Sequence, residues 1–314
     1  MEDRIILEKL WQRHCDPAYR TSAQDAALWR RQVQLLYAHH IAHPVALKFL
    51  LEERPTLQNF YTWIEEERAS YHLLQDCNDT KETGEVNARL SSEQIDFWQR
   101  NGYLVLENVI DAAACAASRD VIWEYLGASL HEPSSWYTTH SRLQGLMLPL
   151  YNHPRLNTNR ASRRVRAAYE QLYGSSAIYK TIDHLSFSPP ETSTFSFRGD
   201  GLHWDVSLAQ PIPERYQGLL YLTDCEENDG AFHCVPGFHR HITDWLNTVP
   251  AGEDARHFAA RTLQAQAVPG KAGDFVIWHQ ALPHCATPNR GKAPRMVQYL
   301  SYIPENDIEQ SVWI

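Results

Sequence analysis

Four side chains in the second half of the chain have the types and spacing to hold a metal ion and a carboxylic acid. Gly201-Leu-His-Trp-Asp-Val206 puts an imidazole (His203) and a carboxylate (Asp205) two positions apart. Residues i and i+2 of a β-strand point to the same face. Read as a strand, this segment therefore offers two donors side by side. A third donor must come from elsewhere, and His284, in Leu282-Pro-His-Cys-Ala-Thr-Pro-Asn-Arg290, can supply it. Two imidazoles and one carboxylate on one face of an ion leave the opposite face open, which is the donor set of non-haem Fe(II) oxygenases. Arg295 follows shortly after His284. A guanidinium there can hold a carboxylate through two parallel hydrogen bonds. A dicarboxylic keto acid fits the combination, with its keto-carboxylate end on the metal and its far carboxylate on Arg295.

Distant segments have to become neighbours for this to work, and the patterning is consistent with that. Residues 1–75 carry apolar side chains at three- and four-residue spacing, as at Leu28, Val33, Leu36 and Tyr37, and read as helices. Residues 76–90 are polar and turn-rich and read as a linker. Ser91 with Gln94 forms a capping box at the start of a helix that ends at Asn101-Gly102. A short strand, Tyr103–Leu106, and a helix to about Leu126 follow. From Arg155 to Tyr173 the pattern is helical, and its arginines (Arg160, Arg163, Arg164, Arg166) read as a solvated face. After Ala177 the pattern changes to short strands between Gly/Pro turns: Leu219–Thr223, Ala231–Val235, Asp274–Trp278 and Met296–Tyr302, with a helical insertion at 242–264. Such a run indicates a sandwich or barrel of jelly-roll type, in which the strands bearing His203 and His284 become adjacent. The expected architecture is mainly β with flanking helices: a helical N-terminal extension (1–85) and a site-bearing domain (86–314).

Over roughly residues 91–304 the chain resembles the phytanoyl-CoA dioxygenase-like family of Fe(II)/2-oxoglutarate oxygenases. The resemblance rests on the segment from Ser91 to Val109, His203-Trp-Asp205, Asn228-Asp-Gly230, Val235-Pro-Gly-Phe-His239, Gly273-Asp274, His284, Asn289 and Arg295, in that order. It implies a double-stranded β-helix (cupin-like) core, with Fe(II) held by His203, Asp205 and His284. It also implies O2 as oxidant and 2-oxoglutarate salt-bridged to Arg295. Tyr221 matches a position that is often aromatic near the co-substrate. The sequence departs from the pattern at Ala286, where many members carry Ser or Thr; Thr287 is one place further on. Pro-Gly-Phe-His also replaces the usual Pro-Gly-Ser-His turn. Halogenating relatives replace the metal carboxylate with a small residue, so Asp205 favours hydroxylation. Desaturation, ring formation or epimerisation would use the same residues, and a non-catalytic binding or assembly protein could keep the scaffold. Arg198, just before the metal segment, is a candidate for a substrate acid. His233, His239, His241 and His279 read as structural.

Bulk composition narrows the partners. The 314 residues include 10 Trp and 15 Tyr, enough for a sizeable core. Lys plus Arg number 29 against 38 Asp plus Glu, with no basic block, which argues against nucleic acid. The six cysteines form no CxxC pair and no regular spacing, which argues against a zinc ribbon or a disulfide framework and points to free thiols in a reducing cytoplasm. No stretch approaches the ~18–20 apolar residues of a membrane span. The expected partner is a small-molecule substrate, with a homo-oligomer contact open to the N-terminal helices. His39, His40 and His43 lack a third ligand nearby and read as ordinary histidines.

Overall fold

A computed structural model describes residues 2–19, 26–76, 89–137, 145–307, 310 and 312–314. Four helices come first: α1 (Glu2–Cys15), α2 (Ala26–Ala38), α3 (His43–Glu53) and α4 (Leu57–Asp76). They share a core of their own around Leu10, Leu36, Leu50 and Phe60. Pro44 sits in the first turn of α3, where its missing N–H costs no helical hydrogen bond. Most of the linker expected at 76–90 (residues 77–88) lies outside the described residues.

The second half opens with α5 (Ser92–Asn101). Its capping box is formed: the Ser91 side chain accepts from Gln94 N–H while the Gln94 side chain accepts from Ser91 N–H. Gly102, at φ 72°, closes the helix in the left-handed region that glycine adopts without strain. Then come β1 (Tyr103–Leu106), α6 (Ala112–Leu126), β2 (Met147–Leu148), α7 (Pro154–Arg160), α8 (Arg163–Tyr173), β3 (Ile178–Lys180) and β4 (Leu185–Ser188). The remaining strands are β5 (Tyr216–Tyr221), β6 (Phe232–Cys234), β7 (Gln266–Val268), β8 (Phe275–His279), β9 (His284–Ala286), β10 (Arg295–Tyr299) and β11 (Tyr302–Pro304). Between β6 and β7 lie α9 (Ile242–Leu246) and α10 (Ala255–Thr262).

Two antiparallel sheets hold the site. One has the order β1-β8-β5-β10-β4-β2, the other β7-β6-β9; β3 and β11 pair separately. The larger sheet is buried on both faces, which explains why its central strands are apolar runs rather than alternating ones. Leu219, Tyr221, Val276, Trp278 and Val297 point inward and pack with Phe232, Cys234 and Val268 of the smaller sheet. Their neighbours Leu220, Phe275, Ile277 and Met296 point outward, onto Trp98, Ile122, Val165 and Tyr169 of the flanking helices.

Three expectations are corrected. The chain is not mainly β: more of its residues lie in helices than in strands, because helices cover the outer sheet face and also build the N-terminal cluster. His203 and Asp205 do not lie on a strand; the segment makes a single bridge, His203 to His284, and then bends away. Arg160 is not on a solvated face but fully buried, donating to the Asn157 side chain and the Asp183 carbonyl. Periodicity did not reveal this, because a buried arginine is tolerated only where tertiary partners accept its hydrogen bonds. Five described cysteines are unbridged, and no helix among the described residues is long and apolar enough to cross a membrane.

Candidate metal centre

The bridge brings the two histidines together. His203 N–H donates to the His284 carbonyl at 3.0 Å and His284 N–H to that of His203 at 2.9 Å, with ring centroids 4.8 Å apart. Each ring is oriented from behind. Nδ1 of His203 lies 2.7 Å from the Gly201 carbonyl, and Nδ1 of His284 lies 3.1 Å from that of Leu282. A carbonyl only accepts, so each Nδ1 carries the proton and each Nε2 presents a lone pair. Both lone pairs face Asp205: His284 Nε2 is 3.2 Å from Oδ2 and His203 Nε2 is 3.6 Å from Oδ1. One donor atom from each of the three residues falls within a 4.8 Å span. Three lone-pair donors converging at these distances repel one another unless a cation or a shared proton sits among them. A small divalent ion fits this donor set.

Asp205 is held in place by a residue the motif search missed. Gln217 on β5 donates to Asp205 Oδ2 at 2.9 Å, and Trp278 Nε1 donates to Gln217 Oε1 at 3.0 Å. Enclosure by protein would raise the Asp205 carboxyl, but its contacts with His284, Gln217 and His203 hold it well below the usual carboxylate range. A polar residue inside the apolar run Tyr216–Leu222 was the available signal for Gln217.

The triad opens onto a cavity of about 580 Å³ that Arg295 also lines. Arg295 is 2% exposed, and its Nε and Nη1 have no hydrogen-bond partner. Burial works against its charge, but contacts with Tyr299, Tyr221 and Cys225 shift it the other way, and a guanidinium stays protonated in either case. A buried guanidinium with two unpaired donors is costly unless an anion completes it. A carboxylate fits that position as the divalent ion fits the triad.

Other expected residues are placed less simply. Tyr221 is buried with its ring facing Arg295 (5.8 Å), but its hydroxyl donates to the Val268 carbonyl and accepts from Phe232 N–H. Neither Tyr221 nor Thr287 lines the cavity, whereas Arg198 does. Tyr299, which lines the cavity beside Arg295, was not singled out in the sequence. Among the surplus histidines, His233 is tied to the Ala231 carbonyl at 2.9 Å, and burial pushes His279 down to about 4. In the N-terminal cluster, His43 Nδ1 bonds the Tyr37 hydroxyl at 2.8 Å, and His40 stacks on Tyr71.

The chain is similar to several known proteins. A Bordetella bronchiseptica ectoine dioxygenase is 23% identical over 248 residues, spanning 70% of this chain and 77% of its own length. A Dictyostelium discoideum protein bearing the name phytanoyl-CoA dioxygenase is 22% identical over 266 residues, spanning 68% of this chain and 75% of its own. The fold is shared with the epimerase SnoN, crystallised with Fe3+, alpha ketoglutarate and nogalamycin RO (TM-score 0.52, 17% identity, 69% of this chain and 85% of that one). It is shared equally with apo EctD from S. alaskensis (TM-score 0.52, 20% identity, 72% and 81%). The sequence pattern of the phytanoyl-CoA dioxygenase (PhyH) family matches residues 98–297, well over half the chain, and the protein belongs to that family.

Proposed function

We propose that the protein is an Fe(II)- and 2-oxoglutarate-dependent dioxygenase that hydroxylates a C–H bond of a small molecule. In this reading the two sheets are the halves of a double-stranded β-helix, and the helices α1–α4 form a unit docked on it. His203, Asp205 and His284 hold Fe(II), and Arg295 receives the far carboxylate of 2-oxoglutarate. The single observation that carries the reading is the pairing of an open two-His, one-carboxylate cluster with a buried, incompletely bonded arginine in one cavity.

Iron held there would supply the oxidising power, with O2 and 2-oxoglutarate consumed, succinate and CO2 released and one oxygen atom inserted into the substrate C–H bond. The chain's own residues do the rest. The Nδ1 bonds to Gly201 and Leu282 aim both imidazoles. Gln217 orients the carboxylate toward the position a metal would take. Phe232 and Trp278 wall the cavity and limit water beside the metal. Away from the metal the lining mixes Asp183, His184, Arg198, Asp200 and Ser301 with Leu146 and Met147. The unbridged thiols support a reducing, cytoplasmic setting.

The test is succinate release from 2-oxoglutarate with Fe(II), under 18O2, for wild type and Arg295→Gln. Wild type turns over 2-oxoglutarate, and Arg295→Gln requires roughly 100-fold more of it, as expected for losing charge-assisted hydrogen bonds worth about 1.5–3 kcal/mol each. An Arg295→Gln enzyme with unchanged 2-oxoglutarate dependence would overturn the co-substrate assignment. A product without 18O would move the reading to desaturation, ring formation or epimerisation at the same centre.

A further inference from the structure

The metal segment needs a support that the sheets do not provide. After the single bridge at His203 the chain leaves the smaller sheet, so no strand ladder restrains the backbone that carries Asp205. Trp204 is anchored by its side chain: its indole N–H donates to the Ala281 carbonyl at 2.9 Å, and its ring packs on Phe238 and Trp245. The carbonyls of Trp204 and Val206, one on each side of Asp205, both accept from one guanidinium. Arg256 on α10 donates from Nη1 to Trp204 O and from Nη2 to Val206 O, each at 2.8 Å. Its Nη2 also reaches the Ile314 carbonyl at 3.2 Å, and its guanidinium lies over the Trp313 ring at 5.4 Å. Ile314 is paired to the same segment, accepting from Leu208 N–H at 3.2 Å and donating to Ser207 Oγ at 3.1 Å.

We propose that Arg256 is a positioning residue for the metal centre: its planar fork spans the two carbonyls flanking Asp205 and takes the place of the missing neighbouring strand. The inference rests on the reading of His203, Asp205 and His284 as metal ligands. It also gives the helical insertion at 242–264 a role, since α10 delivers this guanidinium. Arg256 does not line the cavity and makes no hydrogen bond to the side chains of His203, Asp205 or His284. It acts only through the backbone. A guanidinium can hold two acceptors at once because its N–H groups are fixed in a plane, whereas one ammonium cannot span them in the same way. An error of about half an ångström in the carboxylate is enough to degrade a preorganised metal site.

The test is Mn(II) binding by calorimetry to full-length protein in the presence of 2-oxoglutarate, with the visible absorption of the anaerobic Fe(II)–2-oxoglutarate complex as a second readout. Arg256→Gln is expected to weaken Mn(II) binding by ~10- to 100-fold, the range for losing a group that orients a metal ligand. Arg256→Lys, keeping the charge and one hydrogen bond, falls between Gln and wild type, and both variants shift the absorption band. Arg261→Gln, on the same helix but paired to Glu253 at the surface, leaves both readouts unchanged. Thermal melting reports folding, and if Arg256→Gln does not fold, Arg256→Lys carries the comparison. Folded Arg256 variants that bind Mn(II) within about twofold of wild type, with an unshifted band, overturn this inference and leave the metal assignment standing. A wild-type protein that binds no Mn(II) overturns the metal assignment itself, and the role of Arg256 with it.

Discussion

At the scale of single residues, burial holds several imidazoles neutral. His279 shows this away from the metal: its Nδ1 accepts from Ala281 N–H at 3.0 Å, its ring faces His239 at 5.3 Å, and burial pushes it from 6.5 to about 4. Between those values the unfolded chain binds a proton that the folded one refuses. The stabilisation is therefore complete above about pH 6.5 and is lost as pH falls toward 4. By pH 5 this single group costs about 2 kcal/mol relative to neutral pH. His43, His184 and His239 are lowered in the same direction, also chiefly by burial, and add to the trend. Urea unfolding at pH 7.5 and pH 5 should show a loss in wild type that is smaller by about that 2 kcal/mol in His279→Phe. Equal losses in the two proteins would exclude His279 as a source of the acid sensitivity.

At the scale of elements, the turn between β5 and β6 packs its last residue against the buried guanidinium. Gly230 sits at φ 81°, and a Cβ there would lie 3.0 Å from the Thr287 carbonyl and 3.5 Å from Arg295 Cδ. The turn is pinned by a bridge between Asp229 and Asn289, and the Asn289 side chain donates to Ser188 and Ala293 carbonyls at 2.9 Å. Gly230→Ala is thus strained in itself and crowds the Thr287 carbonyl, so the turn must shift beside the side chain assigned to the co-substrate. It should weaken 2-oxoglutarate binding by about tenfold, consistent with strain of about 1–3 kcal/mol, while leaving Mn(II) affinity in the absence of 2-oxoglutarate unchanged. Titrating 2-oxoglutarate into the Mn(II) form checks this, and an unaltered affinity would show that the turn does not buttress Arg295.

For the whole molecule, three cores are layered: the helical cluster, the space between the sheets, and the space between the larger sheet and its helices. The first joins the rest through a small apolar contact in which Tyr37 and Ala42 meet Tyr151 and Ile182. Asn152 donates to the His40 carbonyl at 2.7 Å across the same junction. Tyr151 in turn bonds His184, a cavity residue, at 2.8 Å. Leu50 is fully buried in the helical cluster, which contributes no side chain to the cavity lining. Leu50→Ala should destabilise that cluster by ~2–5 kcal/mol and leave metal and 2-oxoglutarate affinity intact. Scanning calorimetry with a parallel Mn(II) titration tests this. Affinity that falls with stability would mean the helices and the centre form one cooperative unit.

Local chemistry made much of this legible in the chain. The capping box at Ser91 and Gln94, the glycine stop at 102 and the strand runs around Leu219, Phe275 and Met296 all rest on neighbours a few residues apart. The four side chains of the site could be singled out because few residue types bind metal or carboxylate. What the sequence could not show are contacts between segments far apart in the chain. Gln217 looks like any polar residue in a strand until Asp205 lies 2.9 Å away. Arg160 reads as solvated until Asn157 and the Asp183 carbonyl enclose it. The His203–Asp205 segment reads as a strand, yet only one bridge forms and Arg256 holds its carbonyls instead. Residue type determines which groups can bind a metal; the distances and partners that decide whether they meet arise only when the chain packs.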